Sequence, residues 1–329
     1  MSYRVLLSAP YLLPVIESFR AMLAASGIEL VLAPVAERLS EDELMAYAGQ
    51  VDGVLCGDDQ FSRRVLEAFA PRLKVISKWG TGIDSIDGQA ARQLGIRVCN
   101  TPGAFSHPVG DTVMAYMLAF SRRGPWMDRE MKAGRWEKLP GRTLRECALG
   151  VVGVGNCGRE VLRRAKAFGT RLLGNDIVQI PEEFIREVGV EMLPLEDLLR
   201  RADFVSLNCD LNPTSFHLIN AQRLALLKPG AVLINAARGS VVDEPALIEA
   251  LRSGRLAGAA LDVFEQEPLP PGSPLRGFDQ VLLAPHNANS SPEAWARVHR
   301  NTLRNLLDGL GLPVPAELKI DGPGSEGHP

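Results

Sequence analysis

The chain has 329 residues, room for two domains, and its 46% hydrophobic and 23% charged residues are the balance of a folded protein with a core. Its 36 basic and 39 acidic residues leave a net charge of −3, without the basic excess that nucleic acid or an anionic membrane favours in a main partner. No apolar run reaches bilayer length, and the stretch Met1–Pro10 is too briefly apolar for a signal peptide. The five cysteines (Cys56, Cys99, Cys147, Cys157 and Cys209) are scattered and lack a Cys-x-x-Cys pair, so neither a disulfide framework nor a metal site is expected. Reduced thiols in a cytoplasmic protein are the simplest expectation.

Short apolar runs alternate with helical patterns, which points to βαβ units and parallel sheets. The first series of predicted strands is Val5–Ser8, Ile28–Ala33, Gly53–Cys56, Lys74–Ser77 and Ile96–Cys99, with helical stretches at Leu13–Ala25 and Ala90–Leu94. A buried helix is expected over Pro108–Arg122. After a loop around Trp136–Gly141 comes a second series: Ala148–Val152, Arg171–Asn175, Phe204–Leu207, Val232–Asn235, Gly258–Leu261 and Val281–Ala284. Six strands with intervening helices suit a complete dinucleotide-binding sheet. Ser291–Leu310 is helical in pattern, and the tail Val314–Pro329, rich in Pro, Gly and Ser, is expected to lose order toward its end.

The strand Ala148–Val152 runs into Gly153-Val-Gly155-Asn156-Cys157-Gly158, and a helical pattern follows. Each glycine has a task in such a turn. Gly153 makes the tight bend, Gly155 lets a pyrophosphate approach the backbone, and Gly158 lets helix and strand pack closely. The helix start then offers N–H groups and a positive dipole end to phosphates. Alone this pattern also fits a tight βα turn with incidental glycines. A second strand ends at Asp176, 23 residues after Gly153 (176 − 153), near the spacing of about 20 expected of the acid that binds ribose hydroxyls. No Arg or Lys follows at Ile177, Val178 or Gln179 to neutralise a 2′-phosphate, which favours NAD over NADP.

Three later residues suit hydride transfer to a 2-keto acid. Arg238 follows the strand ending at Asn235, and its guanidinium can hold a carboxylate and polarise the adjacent carbonyl. His286 follows Val281–Ala284 and titrates near neutrality, as a proton donor to a developing alkoxide must. Glu267 can bond the other imidazole nitrogen and fix the tautomer. All three lie beyond carboxyl ends of predicted strands, where open α/β sheets bind ligands. By residue type alone, each is equally a solvated charge or a structural histidine.

Taken together, the blocks Lys78–Asp87, Asn100–Ala104, the glycine turn, Leu227–Asp243, Leu256–Pro268 and Ala284–His286 resemble the D-isomer-specific 2-hydroxyacid dehydrogenases, and D-3-phosphoglycerate dehydrogenase among them. The resemblance implies a flavodoxin-like substrate domain (1–100 plus 292–329) interrupted by a Rossmann NAD-binding domain (101–291), both doubly wound parallel sheets of α/β class, with substrate in the cleft. It implies Arg238, Glu267 and His286 as the catalytic set. NAD contacts would come from Gly153, Gly155, Asn156, Cys157, Gly158 and Asp176, from Cys209 beside Asp210, from Ala236, Ala237 and Arg238, from Asp262, and from His286, Asn287, Ala288 and Asn289. Substrate contacts would come from Lys78, from the backbone N–H groups of Thr81, Gly82 and Ile83, and from Arg238. A homodimer is implied as well.

The match departs from the phosphoglycerate pattern in places. Gly57, Asp58 and Asp59 stand where one basic residue is common, and Lys78 replaces another, with Arg63, Arg64 and Arg135 as possible compensation. Phe105 stands where Asn is common, and Trp79 adds bulk beside the Thr81–Ile83 turn. These departures leave the reaction type intact and the substrate open between a phosphoglycerate-like acid and a small one such as glyoxylate or hydroxypyruvate. Glu267 and Phe105 disfavour formate oxidation, and the complete catalytic set disfavours a non-enzymatic NAD-sensing regulator on the same architecture.

Overall fold

The structure, a computed structural model, describes residues 2–318. Two compact units divide the chain: one runs up to Ala104 and resumes at Ser291, and the other is Phe105–Ser290. The sequence-based boundaries lay at 100 and 291. Residues past 100 stay with the first unit because Thr101 N–H donates to the Gly80 carbonyl at 2.8 Å, and Asn301 Nδ2 donates to Thr101 Oγ1 at 3.1 Å.

The first unit holds β1 (Tyr3–Leu7), β2 (Ile28–Leu32), β3 (Gly53–Cys56), β4 (Val75–Lys78) and β5 (Arg97–Cys99). They form one parallel sheet in the order β2-β1-β3-β4-β5, the flavodoxin-like arrangement. β3 and β4 are buried along their whole length, as central strands covered on both faces must be. Leu13–Ala25 is less regular than its apolar pattern predicts: a 3₁₀ segment, Leu13–Phe19, precedes an α-helix over Arg20–Ala25. The helix Pro292–Gly309 packs back onto this sheet, so closely that a Cβ on Gly309 would lie 2.4 Å from Val75 Cγ2. Ala316–Leu318 form a 3₁₀ turn, and the rest of the predicted tail lies outside the described residues.

The second unit opens with the helix Ser106–Arg122, two residues longer at its start than the pattern predicts, and continues through a helix over Gly124–Lys132. Its strands are β6 (Ala148–Val152), β7 (Arg171–Asn175), β8 (Glu191–Met192), β9 (Phe204–Leu207), β10 (Val232–Asn235), β11 (Gly258–Leu261) and β12 (Val281–Leu283). They make a seven-stranded parallel sheet in the order β12-β11-β10-β9-β6-β7-β8. Counted from β6, this is the doubly wound dinucleotide-binding order, with its switch point between β6 and β9. The strand missed in the sequence is β8. Two residues are too few to show a period, and only pairing with Leu173 and Gly174 defines it.

Candidate active site

All strands of the second sheet are parallel, so the loops leaving β6, β7, β9, β10, β11 and β12 emerge along one edge. That edge gathers the glycine turn, Asp176, Cys209, Arg238, Glu267 and His286, residues spread over 134 positions of sequence (286 − 152).

Two of the turn's three glycines are required by the packing of the protein itself. Gly153 has φ +89°, and a Cβ there would lie 2.6 Å from the Cys209 nitrogen. A Cβ on Gly158 would fall 2.0 Å from the Gly153 carbonyl oxygen. A Cβ on Gly155, by contrast, would meet nothing within 4 Å. The turn is thus closed against the sheet at its two ends and open in its middle, where a pyrophosphate has to reach the backbone. Gly155 caps the helix Asn156–Ala167, whose first N–H groups at Asn156, Cys157 and Gly158 have no intrahelical acceptor to use.

Asp176 follows β7 and is tied to the turn itself. Its Oδ2 accepts from Val154 N–H at 2.6 Å and its Oδ1 from Val178 N–H at 3.1 Å. Each oxygen keeps a further lone pair for a ribose hydroxyl. Ile177 and Val178 beyond it are largely exposed, a sequence of apolar side chains with no cation for a 2′-phosphate. Burial pushes the thiols of Cys157 and Cys209 up to about 11, so both stay protonated at neutral pH and serve as small half-buried side chains.

Arg238 stands at the end of a turn that Asn235 locks. Asn235 Oδ1 accepts from Ala237 N–H at 3.1 Å, and its Nδ2 donates to the Arg238 carbonyl at 2.9 Å. Sequence reading passed over Asn235. The available signal was a polar residue closing an otherwise apolar strand, here buried to 1% exposure. One Arg238 nitrogen, Nη1, donates to the Ala237 carbonyl at 2.9 Å, which fixes the direction of the guanidinium.

His286 Nδ1 lies 3.0 Å from Glu267 Oε2, and the other Glu267 oxygen accepts from Phe264 N–H at 2.9 Å. A carboxylate on Nδ1 makes that nitrogen the N–H donor and directs Nε2 to whatever enters the site. The histidine backbone is left-handed, φ +51°, which is uncommon for a residue with a side chain. Asp262 holds it there. Its carbonyl accepts from His286 N–H at 2.7 Å, and its two carboxylate oxygens accept from Asn287 and Ala288 N–H, each at 2.8 Å. Burial raises the Asp262 carboxyl above the usual range, against the pull of those two N–H donors and of His286.

In the first unit, Thr81, Gly82 and Ile83 form an irregular loop after β4, reached through Gly80 at φ +133°. Among the described residues none accepts a hydrogen bond from the N–H groups of these three. Lys78 sits at the end of β4 with its side chain only 3% exposed and its ammonium 2.7 Å from Asp58 Oδ1. Asp59 is wholly buried, accepting from Ser8 Oγ and from Leu39 N–H. The other basic candidates are engaged with neighbours too: Arg63 with Glu67 and Gln93, Arg64 with Glu41 and Asp42, and Arg135 with Glu130. Trp79 and Phe105 are both buried.

A doubly wound sheet, a dinucleotide turn with its acid, and an imidazole backed by a carboxylate define an NAD-linked oxidoreductase. A family model described as D-isomer specific 2-hydroxyacid dehydrogenase, NAD binding domain, matches residues 114–288. A glyoxylate reductase of Korarchaeum cryptofilum is 41% identical over 79% of this chain and 80% of its own. A D-3-phosphoglycerate dehydrogenase of Methanocaldococcus jannaschii is 40% identical over 79% of this chain and 50% of its own. The solved structure of the TT0316 protein from Thermus thermophilus superimposes with a TM-score of 0.82 at 34% identity, covering 95% of this chain and 98% of that one. The chain belongs to the D-isomer-specific 2-hydroxyacid dehydrogenases, oxidoreductases that use NAD.

Proposed function

We propose that the chain interconverts a small, unphosphorylated 2-keto acid, glyoxylate or hydroxypyruvate, and its 2-hydroxy acid. The observation that carries this reading is the Lys78–Asp58 pair. A cation kept for a substrate phosphate has to meet it with its charge uncompensated, and Lys78 is buried against a carboxylate instead. The glyoxylate reductase relative supports the same choice.

Arg238 takes the substrate carboxylate and polarises the carbonyl beside it. In the first unit, the N–H groups of Thr81, Gly82 and Ile83 are proposed to bind a substrate carboxylate. His286 Nε2 gives a proton to the carbonyl oxygen as it becomes an alkoxide, and Glu267 stabilises the imidazolium present before that transfer. Bound NADH supplies the hydride. The glycine turn, Asp176, Cys209, Ala236, Ala237, Asp262 and the loop His286–Asn289 hold it. Turnover of NADH with a panel of keto acids tests the reading. Preference for 3-phosphohydroxypyruvate over hydroxypyruvate and glyoxylate would reject it.

We further propose a homodimer in the cytoplasm. Trp136 at 85% exposure and Met131 at 50% are large apolar side chains open to solvent at and just after the helix Gly124–Lys132, and they support a subunit contact there. The five cysteines are free thiols. Sedimentation at micromolar concentration checks the dimer, and a single species at monomer mass rejects it.

A further inference from the structure

We propose that His299 is a positioning residue for substrate binding: from the helix Pro292–Gly309 it holds Trp79, and through Trp79 it sets the loop that receives the substrate carboxylate. The inference rests on the reading of Thr81–Ile83 as that receiver. Trp79 Nε1 donates to His299 Nδ1 at 2.9 Å, across 220 positions of sequence. Both side chains are buried, Trp79 at 4% and His299 at 8% exposure. The Trp79 ring also packs at a tilt against Tyr11 and edge to face against Trp295, at centroid distances of 5.2 and 5.9 Å, so its plane is fixed on several sides.

Packing alone does not call for a histidine here. A buried imidazole costs stability unless its nitrogens are bonded, and a leucine would fill the space without that cost. What the imidazole adds is direction: one acceptor that fixes the indole about its ring axis. The next residue, Gly80, bends with φ +133°, so the setting of Trp79 determines where the N–H groups of residues 81 to 83 point. The same helix also secures the far side of the loop. Asn305 Nδ2 donates to the Asn100 carbonyl at 2.9 Å, and Asn301 Nδ2 to Thr101 Oγ1 at 3.1 Å. Asn100 and Thr101 in turn bond to Thr81 and Gly80. Burial holds the His299 ring below its ordinary value, and Arg300 adds to this, so the neutral form with a bare Nδ1 persists at neutral pH.

The test uses the full-length enzyme with NADH and the keto acid it turns over. His299→Leu and Trp79→Phe each remove one end of the hydrogen bond. Each is expected to raise KM for the keto acid about 5- to 10-fold, the loss of one buried hydrogen bond, with kcat and NADH affinity little changed. His299→Asn keeps an acceptor near the Nδ1 position and is expected to recover most of the loss. The double variant is expected to be no worse than the worse single one. A lowered Tm with unchanged KM, or equal KM defects for His299→Leu and His299→Asn, would overturn the proposal. If His299→Leu does not fold, Trp79→Phe against His299→Asn carries the same comparison. Gly82→Ala separates the two ideas. If it raises KM while the His299 and Trp79 variants do not, the loop reading stands and this inference falls. If none of them raises KM, both fall.

Discussion

His286, the proposed general acid, has a backbone conformation that a side chain rarely adopts. A left-handed residue of this kind costs on the order of 1–3 kcal/mol and persists only where its surroundings over-determine it. Here three N–H bonds to Asp262 and one imidazole bond to Glu267 do so. On the proposed assignment, His286→Ala lowers kcat by roughly 10²- to 10⁴-fold with NADH affinity retained, which stopped-flow and binding titration check together. Asp176 is the second residue to which sequence position assigns a role, 23 residues after Gly153. Its tie to Val154 N–H was not legible there, because that bond depends on how β7 lies beside β6. Asp176→Ala is expected to weaken NAD about tenfold and to narrow the preference over NADP. An unchanged ratio of kcat/KM for the two cofactors would refute its role.

At the scale of elements, parallel strands buried on both faces announce themselves as apolar runs. For that reason β6, β7, β9, β10 and β11 coincide with the predicted segments residue for residue. Elements that owe their form to a neighbour do not. β8 exists only as a partner of β7, and the 3₁₀ start of Leu13–Ala25 has the same apolar spacing as an α-helix. The glycine turn belongs to the first kind, and its steric logic yields a sharp expectation. Gly158→Ala places a methyl 2.0 Å from the Gly153 oxygen, so the turn or the helix Asn156–Ala167 must shift. We expect stability to fall by about 1–3 kcal/mol in urea and NAD binding to weaken at least tenfold. By contrast, Gly155→Ala meets open space in the protein and should leave stability nearly unchanged while still impairing NAD binding. Equal loss of stability in both variants would contradict this account of the turn.

At the scale of the molecule, the returning helix makes stability depend on pH. The folded-state value of His299 is lowered, by burial first and by Arg300 second. The unfolded chain therefore binds a proton that the folded one does not, once pH falls below the unfolded value of about 6.5. The contribution of the neutral ring is fully present above that value and is lost as pH falls through the folded value. Wild-type stability should drop as pH falls below about 6.5, with an added slope of at most about 1.4 kcal/mol per pH unit, and His299→Asn should lack that component. Parallel denaturation curves for the two proteins across this range would dismiss it.

The sequence by itself determined the two series of strands except β8, and the glycine turn, because these depend on local periodicity and steric rules at glycine; it singled out Asp176 by spacing, and Arg238, Glu267 and His286 by residue chemistry and family resemblance. It also placed Lys78, Asp58, Trp79 and His299 in the chain without showing what they do. Only the tertiary structure decided that Lys78 meets Asp58 and that Trp79 meets His299. The physical reason is that such pairs are made by strands and a helix brought together from distant parts of the chain. Their effect, a cation neutralised and a loop oriented, is a property of three-dimensional proximity that no local pattern carries.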